Sequence, residues 1–77
     1  MDLSKPKKIG DLLREWRKRR RLTQIDLALE TEISQRHLGF IELGRSHPSR
    51  EMILRLCETL DVPLRERNVL LGSAGFS

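Results

Sequence analysis

LTQIDLALETEISQRHLGFIELGRSHP, residues 22–48, is the stretch whose reading decides the fold. It contains two helix openings in close succession. Thr23-Gln24-Ile25-Asp26 is a capping-box variant with Asp in place of Glu, and Leu22 before it can staple onto Leu27. Ser34 is a second good N-cap, with Ile33 set to staple onto Leu38. Gly44 is placed to end the second helix as a C′ residue, and Pro48 prevents its resumption. Two short helices joined by a tight turn describe a helix-turn-helix, a motif that sets one helix against a phosphate backbone while the next enters a DNA major groove.

Outward from this centre the pattern stays helical. Met1 to Lys8 is polar, contains Pro6 and reads as a flexible basic arm; residues 9–77 read as one domain. Ile9, Leu12, Leu13 and Trp16 fall at i, i+3, i+4 and i+7, one face of a helix ending near Arg20. Ser49 caps a fourth helix with Met52, Ile53, Leu56, Cys57 and Leu60 as a broad apolar stripe, broken at Asp61-Val62-Pro63. A fifth helix, about Leu64 to Ala74, sets Val69, Leu70 and Ala74 on one side, with Gly75 ending it. No segment alternates as a strand does, so the expected fold is all-α with five helices.

Seventy-seven residues sit near the lower limit for a self-sufficient core. With one Trp, two Phe and no Tyr, Leu and Ile must supply most of the packing, and no room is left for a buried cofactor. The net charge of +4 is unevenly placed. Residues 5–21 hold nine Lys or Arg against Asp11 and Glu15, residues 22–44 are acidic, and the remainder is close to neutral. Such an asymmetry reads as an electrostatic footprint for a polyanion. A solvated basic face is the plainer alternative.

Several function classes are excluded. Cys57 is alone, so neither a disulfide framework nor a cysteine zinc cluster is available. His37, His47 and Cys57 have no zinc-like spacing, no paired carboxylates occupy a recognisable cleft, and no Gly-rich phosphate loop follows a strand. An enzyme, a cofactor and a metal are therefore not expected. No apolar run approaches the ~20 residues of a membrane span, and the expected location is cytoplasmic, with the nucleoid.

On a helical wheel with Leu38 at zero, Ile41 lies at about −60°, which sets the core direction near −30°. Gly39, Leu43, Arg36 and Phe40 fall on the opposite arc, and Gln35 occupies the first turn, which penetrates deepest when a recognition helix docks. Gln pairs bidentately with adenine and Arg with guanine, while an exposed ring can lie against thymine methyl groups. Gln35, Arg36 and Phe40 are thus the base-reading candidates. The alternatives are solvation for Gln35 and Arg36, and packing beneath the first helix or a loop for Phe40. Glu42, at about 40°, turns toward the core and needs a partner. Arg17, one residue past Trp16, is the best candidate for a structural ion pair.

The pattern LTQ-x-x-LA…IS-x-x-x-L-x-x-IE-x-G-x-x-x-PS…L resembles the Cro/C1-type (XRE family) helix-turn-helix of phage repressors and bacterial regulators, over roughly residues 9–62. The stretch from Ser34 onward is similar to the N-terminal heads of MmyB-like transcription regulators, which implies either a free-standing head or a fragment of a longer regulator. The resemblance implies a compact lambda-repressor-like domain. It also implies phosphate binding by Gln24 and by the loop residues Arg45, Ser46 and Arg50, base reading by Gln35 and Arg36, and an Arg17–Glu42 link. Arg19 of the basic first helix joins the phosphate-facing set. Where that family usually has Gly in the turn, this chain has Glu32, so the turn is either strained or differently shaped. Thr31 replaces the usual Leu.

The expectation is sequence-specific binding of double-stranded DNA by a transcription regulator, a repressor in the manner of the phage proteins, with residues 34–43 in the major groove. One such domain reads a half-site, so a homodimer on an inverted repeat is expected. Val62, Leu64, Leu71 and Phe76 are the candidate exposed contact residues. The rival is a protein–protein module that presents Phe40 and Leu43 to a partner, against which the basic N-terminal third argues.

Overall fold

In the computed structural model, which describes residues 7–76, five helices follow one another and no strand occurs among the described residues: α1 (Ile9–Arg19), α2 (Gln24–Thr31), α3 (Gln35–Leu43), α4 (Arg50–Thr59) and α5 (Leu64–Ser73). The reading of residues 1–8 as an arm falls largely outside the described residues. The arrangement is the lambda-repressor-like one, with α2 and α3 forming the helix-turn-helix.

Side-chain caps open three of the five helices. Thr23, Ser34 and Ser49 each accept the amide three residues on, from Asp26 at 3.1 Å, His37 at 3.0 Å and Met52 at 3.1 Å. The Thr23 amide also donates to Asp26 Oδ2 at 3.2 Å, so the Asp variant closes a full capping box.

All five helices end alike. The amides of Leu22, Ile33, Arg45, Val62 and Phe76 donate back to the carbonyls of Arg17, Ala28, Phe40, Cys57 and Leu71, the long bond of a Schellman motif. The motif needs a left-handed residue at each exit, and Arg21, Glu32, Gly44, Asp61 and Gly75 occupy those positions. Three of the five are not glycine, at ~1 kcal/mol each. Glu32, at φ 63° and ψ 41°, keeps the left-handed geometry that glycine would adopt, so the turn carries strain rather than a new shape. Leu22, Ile33, Val62 and Phe76 then fold apolar side chains onto the core, offsetting part of that cost.

Leu13, Leu27, Leu38, Ile41, Ile53, Leu56, Leu60 and Leu70 are fully enclosed. α1 packs on α3 and α5, α2 on α3 and α4, and α4 on α5. Gly10 sets the closest approach. A Cβ there would stand 2.6 Å from the Glu42 carbonyl oxygen and against the Ile41 carbonyl as well, so α1 lies on the backbone of α3. Nothing in the local pattern marked this glycine.

The fifth helix corrects two expectations. Leu70, Leu71 and Ala74 are the buried set, spanning an arc of about 100°, and Val69 points about 150° away from its centre. Val69 is accordingly 52% exposed. Of the candidate contact residues, Val62 and Leu71 belong to the core and Phe76 is half-buried, whereas Leu64 is 76% exposed. Val62 is drawn inward by the Schellman exit of α4, which the α4–α5 break at Pro63 concealed.

Candidate nucleic-acid interface

The site is organised around one buried carboxylate. Glu42 accepts from Arg17 Nε at 2.7 Å, from Arg17 Nη2 at 3.1 Å and from Gln24 Nε2 at 3.0 Å. Arg17 uses its remaining terminus on the Leu22 carbonyl at 2.9 Å. The two charged side chains retain only 11% and 2% of their exposure. The expected Arg17–Glu42 pair is therefore present in fork-on-fork geometry, which constrains orientation as well as distance. A helix held this way cannot roll on its axis without separating buried charges.

Gln24 is caught in the same network. Its amide lies 3.8–3.9 Å from where a Gly39 Cβ would be, so Gly39 is a floor for Gln24 and not a forced close approach. Gln24 Nε2 has one hydrogen committed to Glu42, which leaves the second hydrogen and the carbonyl oxygen for another partner.

With the inner edge of α3 fixed, its outer edge is determined. Gln35, Arg36, Phe40 and Leu43 are exposed, Phe40 at 37%. Phe40 is not covered by α1. Its ring lies beneath the Arg36 guanidinium, with Cζ 5.4 Å from the ring centroid. His37 is half-buried at the flank.

The loop after α3 holds Arg45 and Ser46, and Arg50 opens α4. The Arg45 and Ser46 amides both donate to the Phe40 carbonyl, at 2.9 and 3.2 Å. Their backbone donors are thus consumed in closing α3, and any anion contact from these residues falls to their side chains. Arg19 lies over the Trp16 ring, 4.2 Å from its centroid. Thr31, where the resemblance implies Leu, is buried and meets Thr59 Oγ1 at 3.4 Å, while its carbonyl accepts from Arg55.

Several cations prove structural. Arg20 donates to the Leu60 and Asp61 carbonyls, each at 2.8 Å, and Arg67 to the Val62 carbonyl at 2.7 Å. These arginines close the exits of α4, a role that composition does not reveal. An open groove of about 640 Å³ lies elsewhere, between the ends of α2 and α4, lined by Glu30, Glu32, Glu58, Arg55 and Arg67 among others. Among the described residues no cluster of three or more His, Cys, Asp or Glu is placed to hold a metal ion, and no helix is long and apolar enough to cross a membrane. Cys57 is buried, and that burial pushes its thiol up, with a smaller opposing pull from Arg67.

A capped pair of helices at a tight left-handed turn, with the second locked by a buried ion pair and its outer face polar and open, defines a DNA-binding helix-turn-helix. The chain belongs to the helix-turn-helix family of the Cro/C1 type, whose family model matches residues 13–67. That span runs from Leu13 of α1 into α5. No curated protein matches the chain.

Proposed function

We propose that the domain binds double-stranded DNA sequence-specifically as a bacterial or phage transcription regulator, with α3 in the major groove. The observation that carries this is the Arg17–Glu42–Gln24 lock, which presents Gln35, Arg36 and Phe40 on one fixed outer face. Gln35 and Arg36 read purine edges, and Phe40 lies against thymine methyl groups. The side chains of Gln24, Arg45, Ser46 and Arg50 grip phosphates and set the register, whereas Arg19, stacked on Trp16, is not among them. A homodimer on an inverted repeat supplies the specificity that one half-site lacks. Leu64 and Val69, exposed on α5, are the apolar residues left for that contact. Repression from a cytoplasmic, nucleoid-bound position belongs to the same reading.

The test is selection of bound sequences from a random duplex pool, followed by titration of the winner at several salt concentrations. The reading expects an inverted repeat and a steep log–log salt slope. Failure of any duplex to bind at low salt would remove it. That failure would favour a protein–protein module built on Phe40 and Leu43, the latter 68% exposed.

A further inference from the structure

The basic N-terminal third is divided by the fold into charges that are spent and charges that are not. Arg17 and Arg20 are consumed in the core lock and in closing α4. Lys7 meets Glu15 at 2.7 Å, and Arg14 stands 3.5 Å from Asp11. Both acids of α1 are therefore paired, the Arg14–Asp11 contact being long and open to solvent. Lys18 and Arg21, at its C-terminal end, are exposed and have no partner among the described residues.

Their direction is set by the helix. With Arg14 at zero on α1, Lys18 lies at about 40°, Gly10 at about −40° and Arg17 at about −60°. Gly10 meets the Ile41 and Glu42 backbone and Arg17 the Glu42 carboxylate, so both lie on the side of α1 that faces α3. Arg14 and Lys18 thus lie on the flank next to the side that faces the recognition helix, and Arg21 follows in the left-handed exit, three residues before Gln24. Arg19, at about 140°, lies away from this flank. On the surface the order is cationic flank, Arg17–Glu42–Gln24 lock, then the outer face of α3.

We infer that Arg14, Lys18 and Arg21 form a cationic shoulder that binds duplex phosphates outside the half-site read by α3. The occupant is argued by charge and by continuity. The shoulder carries three cations against one half-buried acid, Asp11, and on the helical wheel it lies beside the Arg17–Glu42–Gln24 lock. The contacts add affinity and extend the footprint, but they carry no base information. This inference rests on the DNA-binding reading above.

The test compares the intact protein with the Arg14→Gln/Lys18→Gln/Arg21→Gln variant and with Arg65→Gln as a control. Arg65 is exposed at the start of α5, a helix that packs on α1 and α4. Circular dichroism and thermal unfolding establish that each variant folds. Binding is measured from 50 to 200 mM salt on two duplexes, one trimmed to the selected half-site and one extended by about one helical turn (~10 base pairs) on each side. Each lost phosphate contact removes about 0.9 from the log–log slope, so the triple variant should lose ~2–3 units, and its affinity should fall ~40-fold less than that of the intact protein across this range. The intact protein should prefer the extended duplex, the triple variant should lose that preference, and both should select the same sequence. Arg65→Gln should change the slope by less than ~0.5. Selective binding with an unchanged slope in the triple variant would overturn the shoulder alone. Absence of duplex binding by the intact protein would overturn both readings.

Discussion

Glu42→Ala tests the lock most directly. The substitution removes a carboxylate that accepts three hydrogen bonds and leaves Arg17, only 11% exposed, as an uncompensated charge beneath α3. Breaking a buried pair from one side costs about 3–5 kcal/mol. At 0.05–0.15 kcal/mol per residue, a domain of this length has ~4–12 kcal/mol in total, so the variant should be near its unfolding limit. The midpoint of thermal unfolding should drop by at least ~12 °C, taking ~4–8 °C per kcal/mol for a domain of this size. Trp16, the only tryptophan and buried under the Arg19 and Arg20 guanidiniums, reports the transition by fluorescence in urea. Arg17→Met should cost a similar amount, because it leaves the carboxylate with Gln24 alone. Combining Arg17→Met with Glu42→Gln should cost ~2 kcal/mol less than the two separately, since the introduced amide can still accept from Gln24 with no buried charge left. A loss below ~1 kcal/mol for Glu42→Ala would refute the reasoning. So would strict additivity in the double variant, because the lock would then not be a coupled unit.

Other outcomes follow from single positions. Gly10→Ala forces a methyl group into the Ile41 and Glu42 carbonyls and should cost ~1–3 kcal/mol in urea unfolding, although alanine favours helix. Glu32→Gly relieves a left-handed non-glycine at ~1 kcal/mol while adding a similar amount of chain entropy to the unfolded state, so its urea midpoint should lie between unchanged and ~1 kcal/mol more stable; Glu32→Val should be clearly worse. Arg36→Ala should relax preference at one base position by ~1–3 kcal/mol in competition binding, whereas Arg45→Ala should weaken all duplexes about equally and flatten the salt slope. For Cys57, a folded-state pKa raised by burial means its contribution is complete below the unfolded value near ~8.5 and is lost as pH climbs through the folded one. Unfolding free energy should therefore decline above about pH 8.5, and Cys57→Ala should lessen that decline.

What could be read in the sequence was whatever is encoded within one turn of helix. Thr23, Ser34 and Ser49 announce their helices because a cap and its amide are three residues apart. The Arg17–Glu42 pair, though twenty-five residues apart, was also legible, since a carboxylate turned toward a core demands a cation and Arg17 stands one residue past Trp16 on the first helix. Gly10 was not legible, because its neighbours are carbonyls thirty residues away and nothing local distinguishes it from a tolerated glycine. The inward turn of Val62 was hidden for a related reason. It follows from a Schellman exit at Asp61, which the nearby Pro63 disguises as a plain helix break.

The arginines show the deeper gap between a composition and a surface. A sum over residues 5–21 treats Arg17, Lys18 and Arg20 as equal contributors to a basic patch. In the fold, Arg17 is neutralised in the core and Arg20 is bound to two carbonyls, while Lys18 remains unopposed among the described residues. A guanidinium with five donors in a rigid fork can close a helix exit where a lysine would not fill the geometry. The arginine-rich end of α1 therefore does two kinds of work. A guanidinium tethered to carbonyls cannot swing onto a phosphate, so the salt slope should be set by the cations whose side chains are free to reach the backbone and not by the formal count. If substituting Arg20 flattened that slope as much as substituting Lys18, the carbonyl contacts would be incidental and the partition would fail.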